Sequence, residues 1–264
     1  MNEQGPKKDI PDEFHLSFVA LLPSRNPELA RTFIEQARRR RPGFCPDAKR
    51  STQLTPRRVL FGYVRDEAWT WLLSHDIDPM PEVAWQTLFP WLPLPPHESC
   101  VHVYLTGWPE FSLPIDQARA TLDLAAAWAA SGATAITFPG GVRLIVGAEL
   151  EHLSSVDVGQ LVPADFYHLL VTFAGYPAPD NQVFIGTMGM SQFLQPDLGF
   201  AVAEEEVPTE QSHIARLLEA TVPMMIELDR PWSLGEAIHD RGHRWVAGER
   251  VGIIQPLYRD PAPK

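Results

Sequence analysis

Cysteine is nearly absent. The 264 residues hold two, Cys45 and Cys100, and neither sits in a CxxC pair. That excludes a disulfide framework and leaves two reduced thiols as the expectation. Long hydrophobic runs are also missing. No stretch approaches the roughly 18 apolar residues that a membrane span requires, and the longest, Leu122–Ala135, belongs to an amphipathic helix. The first residues, MNEQGPKKDIPDE, are polar and lack an apolar signal core, so the cytoplasm is the expected compartment. Gly-rich phosphate loops do not occur either. Gly186-Thr187-Met188-Gly189 has no lysine after it, and neither GxGxxG nor a GxSxG nucleophile elbow is found. ATP, GTP and dinucleotide chemistry therefore lack support, and no cofactor is expected. Positive charge is the minority sign, with 22 Lys and Arg against 33 Asp and Glu, for a net charge of −11. A polyanion would be repelled, which argues against nucleic acid as a partner.

What is present suits a folded core. Hydrophobic residues make up 45% of the chain, and the 26 prolines are about twice the usual share. Proline ends helices and strands, so short elements joined by ordered loops are expected. His15–Leu22 (HLSFVALL) reads as a strand closed by Pro23. Asn26-Pro27-Glu28 then supplies a cap, a proline at the first helical position and an acid in the first turn, and the helix over 27–41 ends in Arg38–Arg41. Residues 59–65 read as a second strand, Glu67–Ser74 as a strand or a short helix, and Pro81–Phe89 as a short helix. Strand–helix order recurs at residues 101–106 and 114–130, with Gly132 as the helix stop. Strands at 134–138 and 142–146 flank a Pro139-Gly140-Gly141 turn.

Further strands are expected at Phe166–Phe173, Gln182–Met188 and Leu198–Ala203, and a helix from Thr209 to Val222. Ser233-Leu234-Gly235-Glu236 matches a capping box for another short helix, and Gly248-Glu249 a final hairpin. Frequent hairpin signals without a strict βαβ rhythm predict an α+β fold, a mainly antiparallel sheet with helices packed on it. The proline-rich stretch Pro90–His97 (PWLPLPPH) is the expected boundary between two similar α+β halves, 14–97 and 98–264, after a flexible 1–13. A single continuous domain is the alternative.

Two segments, Ala129–Phe138 (AASGATAITF) and Thr187–Leu198 (TMGMSQFLQPDL), together resemble an uncharacterised bacterial family known as a domain of unknown function. In that family a Gly-Ala-rich helix end precedes a strand, and a Thr-x-Gly-x-x-x-Phe-Gly-x-Pro-Asp/Glu-Leu segment follows. Leu194 stands where the family pattern carries glycine after Phe193. The resemblance implies no activity and no catalytic residues.

Several groups are candidates for function. His239-Asp240-Arg241-Gly242-His243 places two histidines at i and i+4, a zinc spacing on a helix. Asp takes the place that a metalloprotease gives to Glu, and Gly242 weakens the helix, so no metal is expected there. Cys100 and His102 share one face of a strand, but no partner carboxylate is fixed by sequence. His168 reads as a half-buried strand histidine, and Asp197 after Pro196 as a turn residue or a functional acid. The stretch Arg38, Arg39, Arg40, Arg41, Lys49, Arg50, Arg57 and Arg58 is a candidate docking patch. Of the eight Trp residues, most suit a core, while Trp91 and Trp108 beside loops are candidate partner contacts. The resulting expectation is a non-catalytic bacterial protein-binding module, an immunity protein that neutralises a co-encoded toxin. The alternatives are a hydrolase using the His239/His243 region or Asp197, and a structural component of a secretion or defence assembly.

Overall fold

The computed structural model describes residues 16–25, 27–47, 62–76, 78–90, 92–178, 181–228, 230–240, 243–250 and 254–259. Lys49, Arg50, Arg57, Arg58, Trp91 and the 1–13 segment lie outside them.

Apolar alternation and turn residues set up a first sheet of seven strands: β1 (Ser17–Leu22), β2 (Cys45–Pro46), β3 (Gly62–Asp66), β4 (Trp69–Asp76), β5 (Ser99–Gly107), β6 (Ala135–Phe138) and β7 (Arg143–Ile145). Their order is β2-β3-β4-β5-β1-β6-β7, and every neighbouring pair is antiparallel. The ambiguous segment at 67–74 is thus a turn at 67–68 followed by strand from Trp69, and Trp69 stacks against Trp71 at 6.4 Å. The helices that follow β1 and β5 are α1 (Pro27–Arg40) and, after a short α2 (Glu82–Leu88), α3 (Pro114–Ala130). Both α1 and α3 cover the face that carries Phe18, Ala20, Val101 and Val103. They pack on each other through Phe33 and Trp128, whose rings stack at 4.2 Å. Gly132, just past the end of α3, has φ +97, the left-handed stop that glycine provides without a Cβ penalty.

The second sheet contains β8 (Thr172–Pro177), β9 (Gln182–Met188), β10 (Asp197–Ala203), β11 (Ala237–Asp240), β12 (His243–Ala247) and β13 (Ile254–Arg259). Its order is β11-β12-β13-β10-β9-β8, antiparallel except for the parallel β10–β13 pair. Between the sheets run α4 (Gly147–Ser155) and α5 (Pro163–Leu170), and α6 (Val207–Ile226) packs on β9 and β10. One buried cluster continues from the first sheet into the second, joining Phe138, Leu170, Met190, Phe200 and Leu218. A smaller cluster on the other face of the first sheet joins Val19, Leu21 and Cys100 to Met80, Trp85 and Phe89. The fold is α+β with mainly antiparallel sheets, as the hairpin signals predicted.

Some expectations change. Pro90–His97 does not separate the sheets: it connects strands of one sheet, since β5 lies between β4 and β1. The expected strand at 166–173 is mostly helix. Pro163 opens α5, and the Asp165 carboxylate accepts from the Val162 N–H at 2.9 Å. His168 is accordingly an exposed helical residue rather than a strand one. Ser233–Glu236 forms its box, with the Ser233 N–H donating to Glu236 Oε2 at 2.6 Å, but as a turn into β11 instead of a helix.

Candidate functional site

Arg38, Arg39, Arg40 and Arg41 end α1, where their charge complements the helix dipole. Three of them bond within the fold. Arg40 donates to the Ser154 and Val156 carbonyls at 2.6 and 2.9 Å, which ties α1 to the end of α4. Arg41 pairs with Asp66 at 2.8 Å and Asp123 at 3.1 Å, and its guanidinium lies over the Trp69 and Trp71 rings. Burial pushes the Asp123 carboxyl above its ordinary range, and Arg41 and Arg40 oppose that push. Arg38 donates from Nε to the Phe44 carbonyl at 3.2 Å, and both Arg38 and Arg39 are exposed. Trp108 is half-buried against the main core.

His239 and His243 lie on opposite strands of the β11–β12 hairpin, where His239 faces Arg244 and His243 faces Asp240 in register. The helical i, i+4 geometry is absent, because the two residues sit on paired antiparallel strands. Both cysteines are free, with Cys45 half-buried and Cys100 buried.

Asp197 is no turn residue. It opens β10 at 2% exposure, and its Oδ1 accepts from Thr187 Oγ1 at 3.2 Å and from the Met190 N–H at 3.0 Å. Thr187 Oγ1 in turn accepts from the Leu198 N–H at 2.9 Å. Gln192 Nε2 donates to the Leu170 carbonyl at 3.0 Å. Gln195 spans to the next segment, donating to the Arg230 carbonyl and accepting from the Trp232 N–H, each at 3.0 Å. Thr187 and Asp197 therefore staple the β9–β10 loop to itself, while Gln192 and Gln195 tie it to neighbouring segments. Gly189 has φ +113, and a Cβ there would meet Gly141 Cα at 2.7 Å. Leu194 has φ 56, the left-handed region, at the position where the family pattern carries glycine. It is 41% exposed, so little burial depends on it. Relief of about 1–2 kcal/mol of left-handed strain, less about 0.5–1 kcal/mol of added chain entropy, makes Leu194→Gly a net gain of roughly 0.5 kcal/mol. Thermal unfolding should show a small rise for glycine and none for Leu194→Ala.

Burial is the main reason that the Asp197 carboxyl rises from 3.8 to about 6, against the pull of its hydrogen bonds. Between about pH 4 and pH 6 the folded chain holds a proton that the unfolded chain has released, so stability falls as pH rises through that window. Above it the loss is complete, on the order of 3 kcal/mol at 1.36 kcal/mol per pKa unit. Asp197→Asn cannot titrate. Urea unfolding of both proteins across this range should show the stability of the variant relative to wild type climbing with pH. Parallel profiles would refute the assignment.

Two surface features remain. A shallow groove of about 690 Å³ is lined by Arg143, Tyr167, His168, Thr172, Gln211 and Glu219. Its one cation, Arg143, is engaged by Glu149 at 2.9 Å. The other feature lies at the starts of α3 and α5. Arg119 joins them, pairing with Asp116 at 3.2 Å and donating to the Leu161 carbonyl at 3.2 Å. In the residues that lead into these two helices, Phe111 is 91% exposed, Val162 55% and Leu113 43%. The Asp116 carboxylate accepts from the Leu113 N–H at 3.1 Å, and that of Asp165 from the Val162 N–H. Sequence reasoning missed this patch, because Phe111 reads as a core residue in any composition argument.

On the outer face of the first sheet, Asp76, Cys100 and His102 meet. Cys100 Sγ lies 3.7 Å from His102 Nε2, which is 3.3 Å from Asp76 Oδ2. Burial pushes the Cys100 thiol up to about 12, with Asp76 adding to the rise. A thiol held protonated at neutral pH is a poor nucleophile. Comparison with family models, curated proteins and solved structures finds no match. Among the described residues, no helix is long and apolar enough to cross a membrane.

Proposed function

We propose that the chain is a non-catalytic protein-binding module whose partner is a basic protein, with the toxin of a co-encoded pair as the specific case. The observation that carries this reading is Phe111, a large apolar side chain left 91% exposed two residues before Leu113, which is 43% exposed. Burying such a ring against a partner supplies the kind of central anchor on which binding energy concentrates. The net charge of −11, with Asp116 and Asp165 at the two helix starts, selects a basic partner and speeds its approach. The hydrolase alternative has less support. Asp197 is enclosed by its own loop, and the His239/His243 pair lies on a hairpin rather than a helix face. The test is to co-express the chain with the product of the neighbouring gene and titrate protection against dose. Protection that saturates near one-to-one is the expected result. Protection at a small fraction of the toxin's amount requires turnover and would replace this reading with an enzyme.

A further inference from the structure

The register of the first sheet brings three donors of different chemistry to one point. Cys100 and His102 are two residues apart on β5, so both side chains leave the same face. The antiparallel neighbour β4 sets Asp76 opposite Cys100 and Ser74 opposite His102. Directly opposed residues have Cβ atoms about 5 Å apart, which is within reach for a shared ligand. The sulfur and the ring nitrogen are 3.7 Å apart, the ring nitrogen and the carboxylate oxygen 3.3 Å, and no pair of the three exceeds 4.8 Å. Around a tetrahedral zinc ion, with bonds of about 2.3 Å to sulfur and 2.0–2.1 Å to nitrogen or oxygen, adjacent ligand atoms stand roughly 3.5 Å apart for S and N and roughly 3.3 Å for N and O. Two edges of that figure are already in place. The third closes by rotation of Asp76, whose side chain is 43% exposed.

The alternative for such a trio is a nucleophile, base and orienting acid. That relay needs the thiol on one ring nitrogen and the carboxylate on the other. Here both contacts fall on Nε2. One nitrogen facing a sulfur and a carboxylate together is the geometry of convergence on an ion. The imidazole plane is held by the Tyr104 ring, stacked 6.2 Å away at an interplanar angle of 8°. Apolar Met80, Trp85 and Phe89 share a buried cluster with the sulfur, while the carboxylate side is open. This is the only such donor group among the described residues.

We propose that Asp76, Cys100 and His102 form a three-ligand site for a zinc-class divalent ion, with the fourth position open to water or to a donor from a partner. The thiolate selects a borderline-soft metal over magnesium or calcium. The ion takes the place of the Cys100 proton, which leaves to solvent. The sequence expectation of no metal rested on His239 and His243, and this site uses neither.

The test uses the full chain, stripped with chelator and titrated with cobalt(II) and then zinc. One cobalt per chain should bind, with a thiolate charge-transfer band and the intense visible bands of tetrahedral coordination, and zinc should displace it. Cys100→Ser should abolish the charge-transfer band, and Cys45→Ser should leave it unchanged. If Cys100→Ser does not fold, Asp76→Asn carries the test, since this half-exposed residue ends its strand. It should weaken zinc binding at least about tenfold, the cost that even outer partners of a ligand carry. Absence of the band at one equivalent would overturn the proposal. So would a band that survives in folded Cys100→Ser, or unchanged zinc affinity in Asp76→Asn.

Discussion

Phe111→Ala should weaken the complex with the basic partner by about 2 kcal/mol or more, roughly thirtyfold in Kd. The ring is 91% exposed in the free protein, so its loss leaves the fold untouched. What disappears is the burial gained on binding, worth about 2 kcal/mol for a phenylalanine that goes from water to a packed interface. Isothermal titration of the neighbouring gene's product should show the loss, with an unchanged unfolding midpoint. Val83→Ala is the control. That side chain is also exposed, at 76%, but lies on α2, whose Trp85 packs in the separate cluster on the other face of the first sheet. Charge reversal of Glu110, next in sequence to the anchor, should act mainly on the association rate, and added salt should reproduce it. Equal affinities for Phe111→Ala and wild type would remove the patch from the binding surface.

Trp128→Ala should cost about 3–5 kcal/mol of stability, the range for deleting a large buried aromatic. Trp128 is fully buried on α3 and lies parallel to Phe33 of α1 at 4.2 Å. Phe33 meets Phe44 edge-on at 5.8 Å, and Phe44 meets Trp71 of β4 at 6.3 Å. One ring thus sits at the head of a series that fastens two helices to the sheet. Domains of this size are stable by about 5–15 kcal/mol, so the loss is a large fraction of the whole. The unfolding midpoint should fall by roughly 10 °C, and Trp128→Phe, which keeps a ring against Phe33, should lose much less. A drop below about 1 kcal/mol would mean that the helices are held elsewhere.

Local signals served where they were long and capped. Helices α1 and α3 announce themselves by proline at the first position and apolar residues at helical spacing. The strands at 101–106 and 182–188 do so by β-branched and aromatic residues. Helix α5 was hidden because it is only two turns long and runs straight into β8, so Phe166–Phe173 looked like one apolar strand. Its start signal, Pro163 with Asp165, is present in the chain. The spacing of His239 and His243 suggested a helix face, but the pairing of β11 with β12 decides otherwise, and no local residue encodes that partner. The metal candidate was half legible. Cys100-Val101-His102 is visible in the sequence, whereas Asp76 joins it only through the register of β4 on β5. The exposure of Phe111 is equally non-local, since it depends on which elements fail to reach it.

The position of β13 has a consequence for synthesis. This strand is the last of its sheet in sequence yet lies third in the order β11-β12-β13-β10-β9-β8, with β12 on one side and β10 on the other. Until residues 254–259 arrive, the β8–β9–β10 unit presents the β10 edge unpaired. An open edge of that kind is a template for another chain. Shortening the chain at residue 253 would therefore not trim a border. It would split the sheet into two pieces and leave two adhesive edges. Nascent or truncated forms should need a chaperone, while the finished strand closes both edges at once.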